Sequence, residues 1–152
     1  MGVSPELVES RINAFMELCA AQGAKITHQR LEIYRVLAST DEHPDAEVIW
    51  SRVRRRIPTV SRDTVYRNLK LLAEQRLISV VGMSHERLRF DANMESHHHF
   101  ICVRCGRIRD FSSRRLDDVQ YPAEIESFGE PLSLHFEVKG ICAACREGAG
   151  QG

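Results

Sequence analysis

The 152-residue sequence balances 21 Lys and Arg against 21 Asp and Glu, a formal net charge of zero at pH 7. That length suits one compact unit or two small domains and excludes a large enzyme, and the charge balance requires any nucleic-acid binding to come from local charge. No basic leader followed by an apolar run, no myristoylation pattern and no apolar stretch of the about 18 residues a spanning helix needs is present, so a cytoplasmic protein is expected.

Ser4-Pro5-Glu6 predicts the start of a first helix ending near Gly23, and Thr27 caps a second that runs to about Ser39 with Leu31, Tyr34 and Leu37 inward. His43-Pro44 predicts the start of a third, with Pro at its first position, continuing to Arg56 ahead of Pro58. Ser61 caps a fourth, SRDTVYRNLKLLAEQ, whose Val65, Leu69 and Leu72 recur at helical spacing. LISVVG and RLRFD, separated by MSHE, predict a hairpin. Four helices and a hairpin make a winged helix-turn-helix plan over residues 1–85.

With the stripe of the fourth helix facing the core, Arg62, Tyr66 and Lys70 lie one turn apart on the adjoining face, and Arg67 sits further round. Arg and Lys suit phosphates or guanine edges, and a Tyr ring suits a thymine methyl. From Trp50 to Arg76 eight basic residues stand against two acidic ones, so the neutral chain hides a basic surface. A merely solvated helix face is the alternative, made less attractive by the hairpin that follows.

After residue 90 short strands follow, HFICVRC, GRIRDF and PLSLHFEVKGIC, with a helix-like segment from Arg114 to Phe128 that Pro122 interrupts. The expected fold class is α+β: a winged-helix domain over 1–85, a hinge over 86–92, a small α/β domain over 93–147 and a disordered tail over 148–152. Cys102-x-x-Cys105 and Cys142-x-x-Cys145 are separated by 36 intervening residues, the pattern of a closed four-thiolate structural zinc site stapling a domain too small to hold by its core alone. A redox dithiol needs only one pair and a following helix. Cys19, among Ile12, Phe15 and Met16, reads as a small buried hydrophobe.

TVYRNLKLL, HHHFICVRCGRIRDF and the closing CAAC, with THQR in the second helix, together resemble the ferric uptake regulator family of bacterial metal-dependent transcription factors, over nearly the whole chain in order. The resemblance implies a DNA-binding winged helix, an α/β dimerisation domain, and a homodimer on double-stranded DNA at a palindromic operator. In an extended segment His97 and His99 project to one face and His98 to the other, so the i, i+2 pair can grip one ion. The resemblance adds His43, Asp91 and Asp110 as ligands. Three nitrogens and two oxygens with a vacant position suit Fe(II) or Mn(II) better than closed zinc.

Aspartates at 91 and 110 resemble the peroxide-sensing, PerR-like branch of the family, which implies a repressor released when iron-catalysed oxidation strikes His43 or His97. An iron-uptake or other metal-responsive repressor of the same family is the alternative. A further histidine site of the family looks incomplete, with Ser96 and Leu134 where histidines would stand, although His98, Asp117 and His135 offer a partial substitute. Blander roles are open to each ligand: His43 as a helix cap, Asp91 as a strand terminus, Asp110 as a partner of an Arg. His28 and His85 read as surface residues within reach of a phosphate. A zinc hydrolase or deaminase would need His-Glu-x-x-His, or His-x-Glu with Pro-Cys-x-x-Cys, and neither occurs, so no enzymatic activity is expected. A zinc-stapled interaction module would bind zinc without metal-dependent DNA binding.

Overall fold

The computed structural model describes residues 2–81 and 87–148. The chain divides into two compact units, Met1–Met94 and Glu95–Gly152. The hairpin tip with His85, and residues 149–152 of the expected disordered tail, lie outside the described residues.

The first unit is built of α1 (Pro5–Ala21), α2 (His28–Ala38), α3 (Ala46–Val53), α4 (Arg62–Glu74) and an antiparallel pair, β1 (Ser79–Val81) with β2 (Arg89–Asp91). Each helix opens on a side-chain cap. The side chains of Ser4, Thr27, Asp45 and Ser61 accept the N–H groups of Leu7, Arg30, Val48 and Thr64 respectively, satisfying amides that no helical carbonyl reaches. α3 begins later than His43-Pro44 predicts. Asp45 is its cap, and His43 stands before it at φ 54, a left-handed backbone that cannot enter a helix. The same helix stops at Val53, and Arg54–Arg56 form a turn.

Val65, Leu69 and Leu72 of α4 pack with Ile33 and Leu37 of α2, Ile49 and Val53 of α3, and Phe15 of α1 in one buried apolar cluster. Phe15 stacks on Tyr34 at a ring separation of 4.0 Å. Met16, at the flank of the buried stripe of α1, is exposed, whereas Cys19 is buried, and burial pushes its thiol pKa up. Because Ser61 Oγ accepts the Thr64 N–H at 3.1 Å, Ser61→Ala is expected to lower the stability of this unit by about 1 kcal/mol in urea unfolding. An unchanged midpoint would show that the cap contributes nothing.

The second unit is a three-stranded sheet in the order β4-β3-β5, from β3 (His98–Cys102), β4 (Ile108–Phe111) and β5 (Glu137–Gly140). β3 runs antiparallel to β4 and parallel to β5. The helix-like segment resolves into two short pieces, α5 (Arg114–Asp117) and a 3-10 turn over Ala123–Ser127, with Pro122 immediately before the second. α6 (Ala143–Gly148) closes the described chain. Among the described residues of this unit the buried apolar side chains are Cys102 and Ile108, while Phe128 and Leu132 are 80% and 69% exposed. Burial on that scale cannot hold a sheet together.

Candidate metal centres and nucleic-acid interface

Parallel pairing of β3 with β5 is what joins the cysteine pairs. The register sets Cys102 opposite Gly140, so the turn leaving β3 and the start of α6 emerge side by side. Gly106, at φ 73, closes the first turn in the left-handed region, and its N–H donates to the Cys102 carbonyl at 2.9 Å. The sulfurs of Cys102, Cys105, Cys142 and Cys145 all lie within 4.8 Å of one another. Hydrogen bonds from the backbone N–H groups of Cys142 and Cys105 pull the Cys102 thiol down to about 6. Cys145, hydrogen-bonded to the sulfurs of Cys142 and Cys105, is pushed up to about 12. A thiol cluster that favours one thiolate and retains a proton on another fits a divalent cation that displaces the remaining protons, and four sulfurs at that spacing fit tetrahedral zinc.

In the first unit, an antiparallel bridge between Asp45 and Arg89 lays β2 beside the segment that precedes α3. The Phe90 N–H donates to the Pro44 carbonyl at 3.1 Å, and Arg89 Nη1 donates to the His43 carbonyl at 3.2 Å. This brings His43 and Asp91, 48 residues apart in sequence, into contact: His43 Nε2 lies 3.2 Å from Asp91 Oδ2, with both side chains buried. Asp91 Oδ1 accepts the Asn93 N–H at 2.9 Å, which orients the carboxylate. Arg89–Asp91 thus form a paired strand within the segment 86–92 where a hinge was expected.

In the second unit, His99 pairs with Asp110 in the β3–β4 register, and its Nε2 lies 3.4 Å from Asp110 Oδ1. His97 Nε2 approaches the same oxygen at 3.6 Å, with the two imidazoles edge to face at 4.8 Å. His97 Nδ1 bonds the Glu95 carbonyl. A carbonyl only accepts, so in the neutral ring the proton sits on Nδ1 and the Nε2 lone pair faces Asp110, the arrangement of a ligating histidine.

His98 projects to the other face, between Phe111 and Phe136, and its tautomer is the reverse. Its Nδ1 accepts the Phe136 N–H at 3.2 Å, so Nε2 keeps the proton and donates to Asp117 at 3.0 Å. Ser96 Oγ also donates to that carboxylate oxygen at 3.3 Å, whereas His135 Nδ1 turns to the His97 carbonyl at 3.4 Å. Of the three residues that offer a partial substitute site, His98 and Asp117 are joined by a hydrogen bond, and His135 is bonded elsewhere.

Arg62, Tyr66, Arg67 and Lys70 are exposed along α4, opposite its buried stripe. His28 is exposed at the start of α2. Tyr66 O–H donates to Glu47 Oε1 at 3.0 Å, and that bond raises the phenol's pKa. Asn68 ties α4 to α2 by accepting Arg30 Nε at 3.0 Å. From β2's side, Arg87 pairs with Asp45 at 3.1 Å. Burial alone raises the Asp45 carboxyl, but the Val48 N–H and the Arg87 guanidinium outweigh it and hold the carboxyl below the ordinary aspartate value. Glu47, Trp50 and Arg87 were not anticipated at this surface. Their only sequence signal is the single tryptophan beside a run of arginines, because the contacts they make span separate elements.

Residues 21–129 match the sequence profile described as the ferric uptake regulator family. The peroxide-responsive repressor PerR of Staphylococcus epidermidis is 29% identical over 147 residues, covering 97% of this chain and 98% of that protein. Among solved structures, the Helicobacter pylori ferric uptake regulator, described as having three functional metal-binding sites, superposes with a TM-score of 0.72 at 27% identity, covering 91% of this chain and 93% of that one. A zinc uptake regulator complexed with zinc and DNA gives a TM-score of 0.69 at 25% identity, covering 94% and 97%.

Proposed function

The chain belongs to the ferric uptake regulator family, and from that premise we propose that it is a metal-dependent, DNA-binding repressor that responds to peroxide. One observation carries the reading. Two kinds of donor set are kept apart: four sulfurs in one cluster, and elsewhere only imidazoles and carboxylates, as His43 with Asp91 and as His97 and His99 with Asp110. Sulfur selects zinc, whereas imidazole and carboxylate without sulfur suit Fe(II) or Mn(II). Each imidazole–carboxylate set is too small to saturate such an ion, so we assign them to one regulatory ion as complementary halves.

The relatives support the rest. A peroxide-responsive repressor matches almost end to end, and a zinc uptake regulator of similar fold binds DNA. α4 is assigned to the major groove, with Arg62, Tyr66, Arg67 and Lys70 as its contacts. Exposed apolar side chains such as Phe128, Leu132 and Val138 suit a second copy of the chain, which would place two α4 helices on a palindromic operator. Among the described residues no helix is long and apolar enough to cross a membrane. A repressor acting on DNA in this way would work in the cytoplasm.

The protein's own part is to hold the ligand sets in orientation: Asn93 orients Asp91, and the Glu95 carbonyl sets the His97 tautomer. A bound ion favours the orientation of the two units that binds DNA, and linkage makes metal and DNA affinity interdependent. Fe(II), when bound, supplies peroxide reduction that Mn(II) does not. Uptake of one oxygen atom by His43 or His97, with water as the other product, removes a donor and ends repression.

The test is mass spectrometry of Fe(II)- and Mn(II)-loaded protein after brief, dilute H2O2. A gain of one oxygen on the His43 or His97 peptide, only with iron, is expected. Intact histidines with iron bound would replace this reading with the iron-uptake repressor.

A further inference from the structure

A carboxylate in the middle of a surface meant for phosphates opposes binding, and Glu47 is such a carboxylate. It lies in the first turn of α3, and its Oε1 accepts the Tyr66 O–H at 3.0 Å and sits 3.2 Å from Arg62 Nε. The Arg62 guanidinium also lies over the Trp50 ring at 4.7 Å, and Arg54 lies over the same ring at 4.6 Å. Trp50 is itself anchored, since its indole N–H donates to the Val60 carbonyl at 3.2 Å. Glu47 and Arg62 are 38% and 56% exposed at their side chains, so their ion pair adds little to stability. What the contacts do change is orientation.

An arginine has many rotamers, and ordering one on binding costs entropy. Contact at Nε occupies one edge of the guanidinium and leaves both Nη groups as a two-pronged end, the end that matches guanine O6 and N7. The indole beneath fixes the plane of that fork.

We propose that Glu47 and Trp50 are positioning residues that hold Arg62, with Tyr66 beside it, in one orientation for reading a base edge. The proposal rests on the DNA-binding reading above. It makes Glu47 a determinant of sequence discrimination that opposes overall affinity.

The test uses full-length, Mn(II)-loaded protein. A duplex is first selected from random sequence by the wild type. The affinities of wild type, Glu47→Gln, Arg62→Ala and the double variant are then measured on that duplex and on a shuffled one, at one salt concentration. Glu47→Gln retains an acceptor for Tyr66 but loses the charge that orients Arg62. Its discrimination ratio is expected to fall about 10-fold, and in the Arg62→Ala background it should have no further effect. If the affinity of Glu47→Gln rises equally for both duplexes, the ratio being unchanged, Glu47 acts by charge alone and the positioning role is wrong. Additive losses in the double variant would also overturn it. Failure of the wild type to bind either duplex in any metal state is a different result, which removes the DNA-binding reading itself.

Discussion

Removing zinc, or substituting Cys142→Ser, is expected to unfold the unit Glu95–Gly152 while Met1–Met94 stays folded. The two units differ in what holds them. The first has a continuous apolar cluster running from Ile12 to Ala92. In the second, the buried apolar residues among those described are Cys102 and Ile108, each contributing about 1.5–3 kcal/mol at most. A structural zinc site contributes about 10–16 kcal/mol, more than that burial by a wide margin. The cluster also joins chain segments that the sheet alone holds weakly, since β5 is an edge strand of four residues. Amide spectra recorded during chelation should therefore show the residues of β3, β4 and β5 losing dispersion at one equivalent of metal released per chain. Helix amides should persist. A second unit that keeps its dispersion with zinc gone would mean that its own packing, or a partner copy, suffices.

His43→Ala is expected to abolish the dependence of operator binding on Mn(II). In the wild type that dependence should be about 5–150-fold, the usual span of coupling between two sites. The variant loses an imidazole whose Nε2 lies 3.2 Å from Asp91 Oδ2, so the first unit would retain only a carboxylate for the regulatory ion. Its affinity in the absence of metal should be unchanged, because His43 is on the segment before α3 and not on α4. His98→Ala is the control. Its ring is committed to Asp117 and the Phe136 N–H, and its loss should leave the Mn(II) response in place. Fluorescence anisotropy on a labelled operator at constant salt measures both variants. A normal Mn(II) response in His43→Ala would remove His43 from the ligand set. The same loss in His98→Ala would show that the response follows from the sheet's integrity and not from ligation.

Much of this was legible locally. Caps at Ser4, Thr27 and Ser61 announce three helices, and the stripe Val65, Leu69, Leu72 announces which face of α4 is buried. Alternation along an extended chain separates His97 and His99 from His98, and the side chains do part that way, toward Asp110 and toward Asp117. His43-Pro44 imitates a helix opening, so the sequence predicts a start for α3 that is too early. The Asp45 side chain two residues on is the better acceptor, and a left-handed His43 ends any helix before it. The long strand expected over PLSLHFEVKGIC shrinks to Glu137–Gly140, since pairing with β3 extends only that far.

The sequence by itself determined the chemistry: four thiols in two close pairs, imidazoles beside carboxylates, and a basic face on a capped helix. Those properties depend on residue type and short-range spacing, which the chain carries wherever it folds. Only the tertiary structure decided the partners. The parallel register of β3 and β5 brings Cys102 and Cys105 to Cys142 and Cys145, the β2 bridge brings Asp91 to His43, and helix packing brings Glu47 to Arg62. Such contacts depend on which strands and helices lie side by side, and that is settled by burial summed over the whole unit, which no local spacing encodes.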